Sequence, residues 1–573
     1  MYALDKIKSD LTHAINNTLN TAAVSVVDFV PTPQAELGDI SLPCFLLSKA
    51  LAKNPAEIAA DLAPKLHDNK WIAKATAAGP YLNISLNSVA SAAILKDIEK
   101  HGVDYGINKN GAKKRLMIEY SNANTHKEYH VGHLRNIAYG DAVNRILTAN
   151  GWKVIPVSYI NDFGIHVAKT LWWLYHKENK AAQEIIKKGI ENKGYFLGTQ
   201  YAQATQELET RAEAKGEVSE VMKAIESRRG EMYSLWKKTR QWNIDHFDRI
   251  YKELNVKFAT IFYENEFVKQ GSKIVAELLA QGILKQSDGA VIADLEKYKL
   301  GVLVVLRSDG TALYPVADLA LAIAKVKKYK LDSSLYVVDI RQGLYFDQLF
   351  KLLELYGVKA NFAHLGYDFV KLPSGMMSSR SGNIIPYEDL KAMALEKAKA
   401  EIVQRHSDWS TKTINHVASV VAFGALKFEM IKVGADKSIT FDIDSALRFD
   451  GFTSAYLQYT YARIQSIKRK ATLAFKKLKV DYAQLNDVRE KSLIIKLAGF
   501  PIAISAAGEK KDPAEIAKYV FDLAQAANDY YHAVPVLKAD QATGAARLAL
   551  LNSTALIIKQ ALNLLGIEVV EEM

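Results

Sequence analysis

The alternation of apolar and polar residues changes character several times along the chain, most clearly between residues 115 and 165. Leu116 to Tyr120 form a short apolar run, which predicts a buried strand. Asn150-Gly151 then provides a left-handed stop before a further apolar run from Val154 to Tyr159. Between the two runs, apolar residues recur at helical spacing: Leu134, Ile137, Ala138, Ala142, Ile146 and Leu147. The stretch therefore predicts a strand–helix–strand unit of a parallel sheet.

A carboxylate interrupts the first of these apolar runs. Glu119 lies inside the predicted strand, where removing an ionised side chain from water is costly unless a cation meets it. The sequence therefore predicts a cationic group beside Glu119 and marks this residue as a candidate for function.

The first 110 or so residues carry a mixed pattern. A helical opening is followed by two helical segments that a turn at Asn54-Pro55 separates, and Ala77 to Asn87 alternates like a half-buried strand. This pattern predicts a small α+β domain. On the residues alone, the preferred interpretation is a domain that only packs against its neighbour.

Residues 177 to about 260 are helical in pattern and rich in charge, and charge runs of this kind are usually solvated helix faces. We interpret them as a helical insertion between two halves of a nucleotide-binding sheet. Its aromatic residues recur at helical spacing with apolar neighbours, which favours core positions over platforms for nucleobases: Trp236, Trp242, Phe247 and Tyr251.

Turn signals and a long helical tail complete the pattern. Asp288-Gly289 and Asp309-Gly310 predict hairpin turns, and the sequence is helical in pattern from about residue 400 onward. The expected fold class is α/β and Rossmann-like, with a doubly wound parallel sheet, an N-terminal α+β domain and a C-terminal all-α domain. The predicted bounds are 1–110, 111–449 and 450–573.

Composition adds an expectation about partners. The 573 residues are 49% hydrophobic and 24% charged, which is typical of a soluble globular protein of about three domains. The 74 Lys and Arg residues exceed the 63 Asp and Glu residues, which gives a net charge of +11. A basic balance favours a polyanionic partner, although charge alone supports nucleic acid no better than the alternatives.

The single cysteine, Cys44, excludes an intrachain disulfide and any zinc site that needs several cysteines. We therefore expect a reducing, cytoplasmic location and no structural zinc. The first residues lack the apolar core of a signal peptide, and no run is expected to span a membrane.

The loop after the first predicted strand contains His130-Val131-Gly132-His133, preceded by Lys127. A loop that leads from a parallel strand into a helix is where doubly wound sheets bind anions, since unpaired backbone N–H groups point outward there. Two histidines and a lysine could also stabilise charge during phosphoryl-type chemistry. The alternative is that these are ordinary solvated loop residues.

A second candidate cluster follows the hairpins. Tyr314 and Asp318 stand four residues apart in a predicted apolar helix, so both can face one point, and Pro315 suits its first turn. The alternative, equally weighted on the residues alone, is that Asp318 points outward and helps the helix to start.

These residues carry a resemblance to a known family. The form E-x-S-x-x-N-x-x-K-x-x-H-x-G-H resembles the signature of arginyl-tRNA synthetases, in the class I group that shares the HIGH motif. It is matched by Glu119, Ser121, Asn124, Lys127, His130, Gly132 and His133. Asn122 and Ala123 stand where the family usually has Ser and Pro.

The resemblance implies two sets of site residues. Arginine binding is implied for Glu119, Ser121, Asn122, Asn124, Tyr314, Asp318 and Gln342, with Asp318 against the guanidinium group and Glu119 either holding the α-amino group or buttressing the pocket. Catalysis is implied for Lys127, His130, Gly132 and His133, together with Ser378, Ser379 and Arg380. The last three belong to a degenerate KMSKS loop in which Met376 and Arg380 replace the two lysines. Lys127 then takes the place of a missing lysine; without the family, the segment would be interpreted as a plain turn.

The resemblance also implies nucleic-acid contacts. The N-terminal patterns at Gly38-Asp39 and Lys53-Asn54-Pro55 imply a domain that touches the tRNA elbow. Gln458, Tyr459 and Arg463 lie in a family string that implies tRNA binding by a C-terminal anticodon-binding domain. The basic stretch from Arg463 to Lys479 fits this role, although a solvated helix is an equally good interpretation.

The implied function is arginine–tRNA ligation by a cytoplasmic monomer. The expected substrates are L-arginine, ATP and tRNA(Arg), with Mg²⁺ held by the ATP phosphates and no membrane partner. Two alternatives stay open. One is a class I synthetase for glutamate or lysine, and the other is a tRNA-binding paralogue without activity, suggested by Met376 in place of a lysine.

Overall fold

The computed structural model describes residues 1–175, 184, 192–211, 213–372, 375–376, 385–471, 475 and 478–573. The candidate residues Ser378, Ser379 and Arg380 lie outside the described residues, as do 177–183, 185–191 and 212 of the predicted insertion.

The N-terminal part combines α-helices with an antiparallel sheet. Its elements are α1 (Ala3–Leu19), β1 (Val30–Pro31), β2 (Ile40–Pro43), α2 (Phe45–Leu51), α3 (Pro55–Leu62), β3 (Ile72–Ala78), β4 (Tyr81–Leu86) and α4 (Ser88–His101). The strands pair in the order β1-β2-β4-β3, and Cys44 is fully buried just before α2. The single strand predicted over residues 77–87 is instead a hairpin, because Gly79 adopts a left-handed φ of 55° and turns the chain.

A five-stranded parallel sheet lies at the centre of the molecule. The next elements are β5 (Arg115–Glu119), α5 (Val131–Ala149), β6 (Lys153–Ile160), α6 (Ile165–Tyr175), α7 (Lys193–Thr210), α8 (Ala214–Glu226), α9 (Gly230–Glu253), β7 (Thr260–Tyr263), α10 (Val268–Ala280), β8 (Lys285–Ser287), β9 (Ala290–Asp294), β10 (Val302–Leu306), α11 (Tyr314–Tyr329), β11 (Ser333–Asp339), α12 (Gly343–Leu355) and β12 (Asn361–Tyr367). The sheet order is β12-β11-β5-β6-β7, and each neighbouring pair is parallel. The predicted strand–helix–strand unit is β5-α5-β6, with the left-handed stop at Gly151.

Helices α7 to α9 separate β6 from β7, as the helical pattern predicts. Trp236, Phe247 and Tyr251 are buried and Trp242 packs against the same apolar cluster as Trp236, which agrees with their interpretation as core residues. We refer to α7, α8 and α9 as the helical insertion. Both predicted hairpin turns are also present, and the first joins β8 to β9 through left-handed Asp288 and Gly289.

The remaining chain is mainly helical. It contains β13 (Val370–Leu372), β14 (Gly375–Met376), α13 (Tyr387–Arg405), α14 (Thr411–Ile431), β15 (Ile439–Thr440), α15 (Ile443–Ala446), α16 (Ser454–Lys470), α17 (Val488–Ala498), α18 (Phe500–Lys510), α19 (Ala514–Ala533) and α20 (Gln541–Leu564). One continuous apolar core includes residues of α1, α5, α14, α16 and α20, and the C-terminal helices α18 and α20 contact the helix that follows β5.

Two helical stretches are long and apolar enough to be candidates for crossing a membrane, which the sequence analysis did not single out. They are Thr411–Ile431, with 78% of its most apolar window buried, and Val488–Lys510, with 50% buried. The second stretch covers α17 and α18, which Gly499 separates. Core helices of soluble proteins pass the same test, and the burial of the first stretch is typical of such a helix.

Helix α5 approaches β5 so closely that one position on it has no room for a side chain. A Cβ at Gly140 would lie 2.3 Å from Cγ of Tyr120. We predict that Gly140→Ala destabilises the fold by about 1–3 kcal/mol, because the buried Tyr120 ring must move. The measurement is the midpoint of thermal unfolding. Gly216→Ala is the matched control, since Gly216 lies in α8 with nothing within 4 Å, and it should leave the midpoint unchanged or raise it.

Candidate active site

The carboxyl ends of four parallel strands surround the candidate active site. Glu119 ends β5, Asn161 follows β6, Glu264 follows β7, and Gln342 lies three residues beyond β11. Since the strands are parallel, these ends meet at one edge of the sheet, where doubly wound sheets bind their ligands.

Two histidines begin the helix that follows β5. The ring centroids of His130 and His133 lie 4.0 Å apart. Nδ1 of His130 accepts a hydrogen bond from the Gly132 N–H (3.1 Å), and Nδ1 of His133 accepts one from the His130 N–H (3.2 Å). Burial lowers the pKa of His130 to about 4 and the pKa of His133 well below its usual range, and the charge of Lys127 acts in the same direction. Both rings are therefore neutral at pH 7, with the proton on Nε2, where each can donate a hydrogen bond to a ligand.

The backbone at the start of α5 differs from the expectation of unpaired N–H groups. The Val131 N–H donates to the Ile385 carbonyl (3.3 Å), the Gly132 N–H donates to His130, and the His133 N–H donates to the His130 carbonyl (2.8 Å). The imidazole of His130 thus occupies the position that an anion would take at a free helix end. Gly132 is required to be small because a Cβ there would lie 2.9 Å from Cε1 of His130. The donors that remain for a ligand are the two ring Nε2–H groups.

Lys127 brings a positive charge to the same place. Its side chain is half-buried, and its ammonium group lies 5.1 Å from the ring centroid of Tyr201 in α7. Loss of water lowers the pKa of the Lys127 ammonium group. Among the described residues no carboxylate is within ion-pair distance of Lys127, so an anionic ligand would meet an uncompensated cation.

Glu119 has the cationic partner that the sequence predicts, and the protein supplies it. The Lys325 ammonium group donates to Oε2 of Glu119, and the Asn122 side chain donates to Oε1 at 3.2 Å. Glu119 and Lys325 are both almost fully buried. Both carboxylate oxygens of Glu119 are therefore engaged by groups of the protein.

Lys325 is a site residue that no sequence motif indicated. It stands seven residues after Asp318 in α11, which is two helical turns, so both side chains face the same side of the helix. A lysine inside the apolar pattern of this helix was the available signal, since a buried ammonium group needs an acid as much as Glu119 needs a cation.

Two further carboxylates in the pocket have no cationic partner among the described residues. Burial raises the pKa of Asp318 to about 6, against the opposing effect of a hydrogen bond from the Tyr345 hydroxyl. Burial also raises the pKa of Glu264 to about 8, although its Oε2 accepts a hydrogen bond from the Asn161 side chain at 3.1 Å. The charge of Asp318 also contributes to the raised pKa of Glu264. The site therefore combines two poorly solvated carboxylates that a cation would stabilise.

Sequence reasoning found Asp318 but missed Glu264 and Tyr345. Both missed residues reach the pocket from elements distant in sequence, β7 and α12, and neither lies in a quoted motif. Tyr314 begins α11 as expected and stays 61% exposed, with Pro315 in the first turn. Its pKa is raised by burial of the hydroxyl and by the charges of Glu264 and Asp318.

Other predicted arginine-binding residues are distributed unevenly. Asn124 is half-buried and continues the β5–β6 pairing through a bridge with Asn161, and Gln342 is exposed beside α12. Ser121 differs from the expectation, because it is fully buried and its hydroxyl bonds to the hydroxyls of Tyr129 and Tyr251, each at 3.1 Å. The side chain of Ser121 therefore contacts Tyr129 and Tyr251 in the interior of the protein and does not face a ligand.

Arg135 connects the histidine helix to the strands next to residues 377–384. Its guanidinium group donates to the backbone carbonyls of Phe369 (3.2 Å), Ala435 (3.2 Å) and Lys437 (2.8 Å). Phe369 immediately precedes β13, which pairs with β15 after Lys437. Arg135 thus ties the backbone that precedes β13 and β15 to α5.

The predicted tRNA-binding residues of α16 divide into two groups. The structure corrects the expectation for Gln458, which is fully buried and donates to the carbonyls of Val420 (3.1 Å) and Glu568 (2.8 Å). It cannot reach a surface ligand because its amide holds the C-terminal segment in the core. Tyr459 and Arg463 are half-buried, and the Arg463 guanidinium group lies 4.3 Å from the Tyr531 ring centroid.

Among the described residues, no group of three or more histidine, cysteine, aspartate or glutamate side chains is arranged to hold a metal ion. A cavity of about 530 Å³ lies away from the site, where α5, α18 and α20 meet. It contains none of the candidate residues. The candidate site residues lie instead at the carboxyl ends of the parallel strands.

The parallel sheet, the His-Val-Gly-His sequence at the start of α5 and the acidic pocket beside it define a class I aminoacyl-tRNA synthetase. Residues 95–442 match the family described as tRNA synthetases class I (R), catalytic domain. Residues 457–573 match the DALR anticodon binding domain, and residues 5–86 match the arginyl tRNA synthetase N terminal domain. The chain belongs to the arginyl-tRNA synthetase family of arginine–tRNA ligases.

Individual relatives agree with this assignment. The chain is 37% identical to an arginine–tRNA ligase of Bdellovibrio bacteriovorus over 554 residues, which cover 95% of this chain and 94% of the relative. It is 32% identical to an arginine–tRNA ligase of Halothermothrix orenii, with 97% of each chain covered. Its fold is similar to that of Thermus thermophilus arginyl-tRNA synthetase, with a TM-score of 0.79 and 27% identity over 99% of this chain and 100% of that one.

The buried pair of Glu119 and Lys325 leads to a test of its structural role. We predict that Lys325→Met destabilises the protein by about 3–5 kcal/mol, because it leaves Glu119 buried without a cation. Thermal unfolding measures the loss. The double change Glu119→Gln with Lys325→Met removes both charges and should recover most of it, and equal melting of wild type and Lys325→Met would contradict the assignment.

Proposed function

We propose that this chain uses the acidic pocket to select L-arginine and the histidine pair to activate it with ATP. In the first step an arginine carboxylate oxygen attacks the α-phosphorus, and the bond to the leaving pyrophosphate breaks. In the second, the terminal ribose hydroxyl of tRNA(Arg) attacks the carbonyl carbon of arginyl-adenylate and AMP leaves. The observation that carries the proposal is the pair of desolvated carboxylates, Asp318 and Glu264, without a cationic partner among the described residues.

The chemistry of arginine fits these carboxylates. A guanidinium group keeps its charge at any physiological pH, and its planar fork bonds well to carboxylates. The charges of both acids act on Tyr314, and the Tyr345 hydroxyl donates a hydrogen bond to Asp318. Glu119, already neutralised by Lys325, would contribute to the wall of the pocket with Asn122, while Asn124 and Gln342 offer amides for the amino acid's own polar groups.

ATP fits the other half of the site. The two Nε2–H groups of His130 and His133 are donors suited to phosphate oxygens, and Lys127 supplies the charge that offsets negative charge as the α-phosphate becomes five-coordinate. Ser378, Ser379 and Arg380 would close over the pyrophosphate. Mg²⁺ would come with ATP and be held mainly by its phosphates.

We extend the proposal to tRNA and to the whole protein. The N-terminal domain (1–110) would contact the tRNA elbow, and the C-terminal domain (450–573) would bind the anticodon arm, with Tyr459 and Arg463 as the candidates on α16. The catalytic domain (111–449) would act as a cytoplasmic monomer. Gel filtration with light scattering, with and without tRNA, tests the monomer.

Asp318 provides the direct test of substrate choice. We predict that Asp318→Asn lowers kcat/KM for arginine-dependent exchange between ATP and pyrophosphate, measured with tRNA present, by about 30- to 3000-fold. This range corresponds to the loss of one partner from a desolvated charge pair. Asp309→Asn, an exposed hairpin substitution, is the matched control and should have no effect. Exchange that is stimulated by lysine or glutamate, or that survives Asp318→Asn, would overturn the assignment to arginine.

The raised pKa values of Asp318 and Glu264 lead to a prediction of pH dependence. Below about pH 6 both groups are protonated in the free protein, and they ionise as the pH rises through about 6 and about 8, respectively. Because the guanidinium group favours the ionised forms, KM for arginine should fall by roughly tenfold between pH 6 and pH 8. Calorimetry in buffers of different ionisation enthalpy should show protons released on binding.

Glu264→Gln is the control for this pH dependence. It removes the group that titrates near pH 8 and should flatten the profile above pH 7. A constant KM across the range in the wild-type protein would show that neither carboxylate meets the guanidinium group.

A further inference from the structure

Three consecutive residues of the loop before the catalytic histidines contact the helical insertion. His126, Lys127 and Glu128 touch α9, α7 and α7, in that order. Lys127 is the residue whose charge the proposed reaction uses, so its two neighbours and its own side chain are all held by the same separate element of the fold.

His126 is anchored in the core of the insertion. It is fully buried, and its Nε2 lies 2.8 Å from the Thr239 hydroxyl of α9. Thr239 donates its own proton to the Leu235 carbonyl, so the ring must donate to Thr239. Burial lowers the pKa of His126 to about 3, which keeps the ring neutral with this single proton.

The backbone of His126 is held as firmly as its side chain. Its N–H donates to the Asn243 side chain of α9 (2.9 Å), and its carbonyl accepts from the Thr170 hydroxyl of α6 (3.1 Å). The backbone of His126 has a left-handed φ of 60°, which is unusual for a residue other than glycine. A residue keeps such a conformation when the contacts around it impose it. Here those contacts come from α9, which is part of the helical insertion, and from α6, which precedes the insertion.

Glu128 and Lys127 meet α7. A Cβ at Gly198 would lie 2.4 Å from Cγ and 2.9 Å from the backbone nitrogen of Glu128, so α7 presses directly on the loop backbone. One turn further along α7, the ring of Tyr201 lies under the Lys127 ammonium group at 5.1 Å. The face of an aromatic ring attracts a cation, most strongly where water is partly excluded.

We propose that the helical insertion is a positioning element of the catalytic site, in which Tyr201 holds Lys127 ready for the phosphates while Thr239 and Gly198 fix the loop on either side. The inference rests on the proposed role of Lys127. The insertion restricts the long side chain of Lys127 when the protein folds. The conformational entropy of that side chain is then lost during folding and does not add to the barrier of the reaction.

The test compares two substitutions at Tyr201. Tyr201→Leu keeps bulk but removes the aromatic face, and it should lower the rate of ATP–pyrophosphate exchange about 3- to 30-fold, the range expected for one partly desolvated cation–π contact. Tyr201→Phe keeps the ring and should stay within about twofold of wild type. The loss should persist at saturating arginine, because Tyr201 is proposed to act through Lys127 on the phosphate side.

A control within the insertion separates position from stability. Tyr233 of α9 makes the same kind of contact with Lys237, at 5.0 Å, and no candidate site residue is involved. Tyr233→Leu should leave exchange unchanged even if it lowers the melting temperature. Thr239→Val, which removes the partner of His126, should lower exchange in the manner of Tyr201→Leu.

The decisive comparison uses Lys127→Ala as the background. If Tyr201 acts through Lys127, then adding Tyr201→Leu to Lys127→Ala causes no further loss. An equal loss in both backgrounds would overturn the positioning role of Tyr201 and leave the function of Lys127 intact. Full activity of Lys127→Ala itself would instead refute the proposed function of Lys127, so the two failures are distinguishable.

Discussion

The buried ion pair between Glu119 and Lys325 is the interaction on which the candidate site depends. It joins the end of β5 to the middle of α11 in surroundings from which water is almost excluded. A buried charge is tolerated only when its partner and further hydrogen bonds are in place, so the register between strand and helix is narrowly defined. The same helix carries Asp318 two turns earlier, and the pair thereby determines where that carboxylate stands.

The acids near the site fall into two groups, according to whether the protein pairs them with a cation. Glu119 and Asp162 are both neutralised by cations of the protein, Lys325 and Arg240, whereas Asp318 and Glu264 have raised pKa values and no such partner among the described residues. Some acids thus stabilise the fold as ion pairs, and others have no cationic partner among the described residues. A buried acid without a cationic partner can stabilise a bound cationic ligand. The sequence alone could not show which of the four acids are paired, because their partners are brought to them by the fold.

The sequence predicted local structure better than it predicted partners. Hydrophobic periodicity located β5, α5 and β6, and the motif residues at the start of α5 are close together because they are close in sequence. Glu264, Tyr345 and Tyr201 were missed because tertiary packing alone brings them to the site, whereas Lys325 could have been found from its place in the apolar pattern of α11. The two corrected residues, Ser121 and Gln458, have the opposite character. Both residues match motifs of the family, which implied contact with a ligand. Both are buried, however, and their side chains bond to neighbouring backbone and side-chain groups of the protein.

The buried Cys44 has a practical consequence. It is the sole cysteine in the sequence, and desolvation raises the pKa of its thiol to about 11, so little reactive thiolate forms at neutral pH. A cysteine introduced on the surface would then be the preferred target of a maleimide dye. Pairs of such labels, one on α7 and one on the N-terminal sheet, would report distances by fluorescence transfer in otherwise native protein, without first removing a natural thiol.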